Sequence, residues 1–270
     1  MKTICFAQMK GGTGKTTLSY NISSLLAENK KVLAIDFDAQ CNLSSNFGFN
    51  AFEEGRKTVA TILEDINTDP LDVVIPSPIE ELPTLDLLPC TMYFYGTELV
   101  LISRMSREFA MKSYMEQHAD FFNYYDYVIF DTAPSMGIIN QNAYVCADHI
   151  VLVTDPDCNS AMGAHVFLKL WDDARKYSKI PNKVDGLVLN NVERTQISDK
   201  TRKYLNEHPV LSAIKYNTAI PHTTRFKECA EQNKPIQYIK TRNKATEISR
   251  KKAENSMLAL IDEMKERGTL

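Results

Sequence analysis

The sequence predicts an α/β protein built on a mostly parallel sheet with helices on both faces. Three observations lead there. Short apolar runs recur without polar alternation, as in strands covered on both sides. Helix-length segments separate these runs, as parallel pairing requires. Polar and acidic residues gather where the runs end, the edge at which open α/β sheets bind ligands.

The elements follow in order. Thr3-Ile4-Cys5-Phe6-Ala7 is an apolar, β-branched run that passes straight into a Gly-rich turn. After the turn, Leu18, Ile22, Leu25 and Leu26 fall at i, i+4, i+7 and i+8, the stripe of an amphipathic helix. Val32–Asp36 is the next strand and ends in carboxylates. Leu85–Pro89 is another, stopped by its proline. Three more runs, Tyr127–Asp131, His149–Thr154 and Gly186–Asn190, complete the predicted sheet. Lys244–Arg267 has helical composition, with Ile248, Met257, Leu260, Ile261 and Met264 as its buried face. There is no internal repeat, low-complexity tract or linker, so residues 1–270 are expected to form one domain.

Composition narrows the class. Of 270 residues, 44% are hydrophobic and 24% charged, as in an ordinary globular chain. No apolar run approaches the ~18 residues of a membrane-spanning helix. The first strand begins at once, which leaves no room for a signal peptide and makes the cytoplasm the expected compartment. The six cysteines are scattered, without a C-x-x-C pair. That spacing argues against metal-ligand and redox motifs and for small, reduced apolar fillers. The net charge of −3 hides an asymmetry: Arg194 to Lys252 holds 14 Lys and Arg against five Asp and Glu. The remainder is acidic, so a polyanionic partner is suggested.

The turn reads Lys10-Gly11-Gly12-Thr13-Gly14-Lys15-Thr16-Thr17. A standard phosphate loop, G-x-x-x-x-G-K-[ST], would need Gly at position 9, where Met9 stands. What remains still suits a triphosphate. The glycines let successive backbone N–H groups turn onto an anion, and the following helix adds its positive end. Lys15 is placed to reach the β- and γ-phosphates, and the Thr16 hydroxyl to ligate Mg²⁺. A turn that merely caps a helix would not require Lys-Thr in register between strand and helix. The chain is therefore read as a Mg²⁺-dependent ATPase.

The placement of Lys10 within this loop resembles the deviant Walker A ATPases of the ParA/MinD group. Asp36-Phe37-Asp38-Ala39-Gln40-Cys41-Asn42 is similar to their D-x-D-P-Q-x-N segment. Asp131-Thr132-Ala133-Pro134-Ser135-Met136-Gly137 is similar to D-x-P-P-S-x-G. Ile220-Pro221 through Arg225 to Lys234-Pro235-Ile236 resembles the I-P-R-N-x-R…G-K-P-I stretch of ParA and Soj partition proteins. Ala39 and Ala133, each in place of Pro, are mild departures. The likeness spans essentially the whole chain with motif order kept, and it implies a twisted sheet of P-loop NTPase architecture.

The resemblance also implies roles. ATP drives a sandwich homodimer, and Lys10 reaches across it to the partner's phosphates. Asp38 orients the attacking water, and Asp131 holds Mg²⁺ through water. Asp36 is a further candidate, for the metal shell or for supporting the loop; from the residues alone Asp36 and Asp38 are not separable. Asn190 and Pro221 match positions that flank adenine. The implied activity is a partition ATPase whose ATP dimer binds DNA without sequence preference and associates with the nucleoid. A ParB-like partner stimulates hydrolysis. Arg225, Lys227, Lys240, Arg242 and Lys244 are the candidate DNA contacts, since Lys and Arg on phosphates give affinity without base readout.

Two alternatives stand beside it. A MinD-like membrane switch would need a basic, bulky amphipathic C-terminus, whereas Asp262–Leu270 mixes acids and bases without aromatics. A ParA-like ATPase positioning a protein cargo would share every motif above. Iron–sulfur chemistry lacks its cysteines, and a tyrosine autokinase lacks its tyrosine-rich tail. The first strand begins too early for an operator-reading domain before it.

Overall fold

In the computed structural model the described residues are 1–193 and 195–270. Arg194, where the basic region begins, lies outside them. Among the described residues, eight strands form one sheet in the order β3-β4-β2-β5-β1-β6-β7-β8. They are β1 (Lys2–Ala7), β2 (Val32–Phe37), β3 (Ile75–Pro76), β4 (Leu85–Leu88), β5 (Tyr127–Thr132), β6 (His149–Thr154), β7 (Val184–Val192) and β8 (Lys215–Pro221). All neighbours pair in parallel except β3, a two-residue edge strand antiparallel to β4.

The unbroken apolar runs are what burial on both faces demands. Ile4, Cys5, Phe6 and Ala7 are fully buried, as are Val32–Ile35 and Val128–Phe130. Alternate residues face opposite ways, and two apolar clusters result. Cys5, Ile35, Phe130 and Leu152 join one cluster with Tyr144, Phe167 and Trp171. Ile4, Phe6, Ala34 and Val151 join the other with Leu18, Ile22 and the C-terminal helix Lys244–Glu266. That helix buries Met257, Leu260, Ile261 and Met264 as expected, but Ile248 is 61% exposed. It lies in the second turn, ahead of Ala253, the first buried residue of the helix.

Two strands were not foreseen. β8 carries only Tyr216 and Ile220 as buried residues, so it lacks an apolar run. β3 is too short to leave a pattern. Because the other seven strands run parallel, their C-terminal ends form one edge. Gln8, Asp38, Asp131, Asp155, Asn190 and Pro221 all stand there.

Candidate functional site

The loop between β1 and the helix Lys15–Leu26 is shaped by two glycines in the left-handed region, Gly12 at φ 79° and Gly14 at φ 89°. Gly14 is the helix N-cap, and no side chain caps that end. The first N–H groups of a helix have no intrahelical partners. Here they open onto a cavity of about 840 Å³ lined by Gly11, Gly12, Gly14, Lys15, Thr16 and Thr17. Asp38, Pro134, Asp155, Asp157 and His222 face it from neighbouring strand ends. Thr13 Oγ1 and Asn190 Oδ1, at the loop, are buried without a hydrogen-bond partner among the described residues.

Lys15 is only 6% exposed. Burial lowers its pKa, and the carboxylates of Asp131 and Asp38 oppose that shift. Thr16 Oγ1 donates to Asp131 Oδ2 at 2.6 Å, and Ser19 Oγ donates to Asp131 Oδ1 at 3.1 Å. Asp131 is fully buried, and burial raises its pKa to about 6 despite the help of Thr16 and Lys15. Hydroxyl and carboxylate oxygens side by side form the hard donor set that Mg²⁺ prefers. Thr16, with Asp131 behind it, therefore fits a magnesium ion.

The two acids of β2 separate clearly in position. Asp36 is fully buried: Oδ2 accepts from Ser44 N at 2.8 Å and Ser44 Oγ at 2.7 Å, and Oδ1 accepts from Asp38 N at 3.1 Å. Burial and the nearby Asp131 push its pKa up to about 7. Asp38 is half-buried and lines the cavity, while its carboxylate accepts from Gln40 N at 2.9 Å. Asp36 thus anchors the loop that presents Asp38.

Lys10 is held by a carboxylate of its own chain. Its Nζ lies 2.6 Å from Asp157 Oδ2. Asn190 is buried and donates from Nδ2 to the Thr13 carbonyl at 2.7 Å, so it braces the loop from behind. Pro221 lines a separate cavity of about 440 Å³ with Val192, Ala219, Arg202 and Lys252; His222 touches both cavities.

The five basic candidates do not form one set. Arg225 is paired with Glu228 at 2.6 Å, its side chain only 14% exposed. Lys227 lines the large cavity. Lys240, Arg242 and Lys244 are exposed, and among the described residues none has a carboxylate within ion-pair distance. Gln8, Ser19, Ser44, Asp155 and Asp157 are site residues that the sequence did not single out. Their partners lie far along the chain or carry no motif of their own.

No described helix is long and apolar enough to cross a membrane. None of the six cysteines is in a disulfide, and four are buried.

The chain is similar to known proteins over most of its length. The family model described as AAA domain matches residues 1–183. The sporulation initiation inhibitor protein Soj of Bacillus subtilis is 29% identical over 253 residues, 92% of this chain and 94% of Soj. A virulence plasmid ParA family protein of Chlamydia psittaci is 34% identical over 241 residues, 79% of this chain and 88% of that protein. Among solved structures, a Cyanothece McdA–ATP complex superposes with a TM-score of 0.82 at 20% identity. It covers 98% of this chain and 96% of its own.

Proposed function

Because this chain belongs to the AAA-domain family and, within it, to the ParA/Soj-type partition ATPases, we propose that it is a nucleotide-controlled DNA-binding switch. It is a ParA-type positioning ATPase with a P-loop ATPase fold. The finer reading is that Mg-ATP closes a homodimer, the dimer binds DNA through phosphate contacts, and hydrolysis releases it.

One observation carries the reading: Lys15, the N–H groups that follow Gly14 and Thr16, whose hydroxyl donates to the buried Asp131, converge on one cavity. The N–H groups and Lys15 bind the triphosphate. Thr16, backed by Asp131 and Ser19, holds Mg²⁺, whose charge would offset that of the phosphates. Asp38, the half-buried acid in the cavity, orients the attacking water. Asp36 serves by fixing the Asp38 loop through Ser44. Lys10 supplies a cation to the partner's triphosphate as the phosphoryl group transfers.

Lys240, Arg242 and Lys244 are the best DNA contacts, because exposed, unpaired cations release counterions from phosphates without reading bases. Arg225, held by Glu228, supports its own helix instead. A ParB-like partner completes the hydrolytic site and so accelerates a slow intrinsic turnover; the resemblance to ParA and Soj proteins supports that step. A protein cargo in place of DNA would leave the nucleotide chemistry unchanged.

Co-sedimentation with unrelated duplex DNAs, across a salt series and with ATP, ADP or no nucleotide, tests the proposal. DNA should pellet the protein only with Mg-ATP, irrespective of sequence, and steeply less as salt rises. Equal retention in all three nucleotide states would refute the switch.

A further inference from the structure

The leading half of the phosphate loop is fastened to the start of the helix Cys158–Tyr177. Lys10 Nζ lies 2.6 Å from Asp157 Oδ2, with the side chains 39% and 36% exposed. The other Asp157 oxygen, Oδ1, accepts from Ser160 N at 2.9 Å and caps that helix. Gln8 holds the same junction. Its Nε2 donates to the carbonyls of Val153 and Ser160, both at 3.1 Å, and its Oε1 accepts from Met9 N at 2.8 Å. Gly163 leaves room for this seat: a Cβ there would stand 2.9 Å from Gln8 Oε1 and 3.8 Å from Lys10 Cβ.

The acids of this junction share the cavity with the phosphate loop. Asp155 and Asp157 both line it, and Asp155 accepts from Asn191 Nδ2 at 3.0 Å. A triphosphate bound there would repel both carboxylates and compete for Lys10. A lysine gripped by a carboxylate of its own chain cannot at the same time serve the phosphates of another chain. We propose that Asp157 is a positioning residue that parks Lys10 in the free protomer, so that ATP-dependent dimerisation requires the Lys10–Asp157 pair to open. This rests on the reading of Lys10 as a cation delivered across the dimer. Burial works to raise the Asp157 pKa, but Lys10 and the Ser160 N–H overcome it, and the carboxyl is held below its ordinary range. Asp157 is therefore a carboxylate at neutral pH.

Because both partners are more than a third exposed, the pair is a light latch. A surface ion pair corresponds to about two- to fivefold in an equilibrium constant. Two pairs open per dimer, so the dimerisation constant carries roughly 4- to 25-fold of restraint.

Asp157→Asn separates the charge from the cap, since Asn caps a helix as well as Asp does. Asp157→Ser does the same with a different side chain. The full chain with Mg-ATP, followed by sedimentation velocity over a concentration series, gives the dimerisation constant. Both variants should dimerise at roughly 4- to 25-fold lower concentration than the parent, with thermal unfolding unchanged. In a Lys10→Gln background, adding Asp157→Asn should have no further effect. A parental dimerisation constant in both variants would overturn the latch, as would a gain that persists without Lys10. If Lys10→Gln alone leaves ATP-dependent dimerisation and hydrolysis intact, the cross-dimer role of Lys10 is what fails, and the latch fails with it.

Discussion

Asn190, at the end of β7, donates from Nδ2 to the Thr13 carbonyl at 2.7 Å and thereby fixes the middle of the phosphate loop to the sheet. The contact depends on the absent side chain of Gly14, where an added Cβ would lie 2.1 Å from Asn190 Nδ2. The loop shape and the buried brace are therefore one device: a glycine in the left-handed region and an amide that occupies the space it leaves.

Gly14→Ala tests that device. The left-handed conformation costs a non-glycine residue about 1–2 kcal/mol, and Asn190 must also move. The melting temperature should fall by several degrees and ATP affinity should drop. Parental values for both would show that the loop tolerates a side chain and that Asn190 does not brace it.

Asp38→Ala should lower ATP turnover by about 10²- to 10⁴-fold while an ATP-bound dimer persists. Asp36→Ala should instead destabilise the chain, because it leaves Ser44 N, Ser44 Oγ and Asp38 N without their acceptor. Single-turnover hydrolysis and thermal melts separate the two. Normal turnover by the Asp38 variant would move the water-orienting role elsewhere.

The raised pKa of Asp36 has a consequence for stability. The folded chain binds this proton more tightly than the unfolded chain, whose carboxyl titrates near 3.8. Ionising Asp36 thus works against folding: the penalty is absent below about 3.8, grows as pH rises, and is complete above about 7. Urea unfolding of nucleotide-free protein at pH 5 and pH 8 should show that Asp36→Asn loses less stability over this interval than the parent. Equal losses would mean that folding does not raise the Asp36 pKa into this interval.

Reversing the exposed cations tests the DNA face. Lys240→Glu with Arg242→Glu should weaken DNA binding uniformly across sequences and flatten the salt slope by about one per lost phosphate contact. Arg225→Glu should act on stability first, since it sets two acids together at Arg225 and Glu228. DNA retention unchanged in the double variant, with the Arg225 variant alone defective, would reverse this assignment.

Much of this was legible in the sequence because its causes are local. A strand buried on both faces must be apolar throughout, so β1, β2, β4, β5, β6 and β7 announced themselves. β8 did not, because Lys215-Tyr216-Asn217-Thr218-Ala219-Ile220-Pro221 buries only two residues and pairs along one edge. The phosphate loop was legible because its glycines answer a backbone requirement at fixed spacing. Asp36 and Asp38 were not separable, since the choice depends on Ser44, which reaches back to Asp36 from eight residues downstream. The Lys10–Asp157 pair spans 147 residues, and no pattern near either residue encodes it.

The central claim is that the Lys10–Thr17 loop holds the nucleotide, and titration calorimetry of Mg-ATP against parent and Lys15→Ala tests it most directly. Removing a buried cation that faces phosphate should weaken binding roughly 100-fold or more, with the variant still folded by circular dichroism. Parental affinity in a folded Lys15→Ala variant would contradict the account.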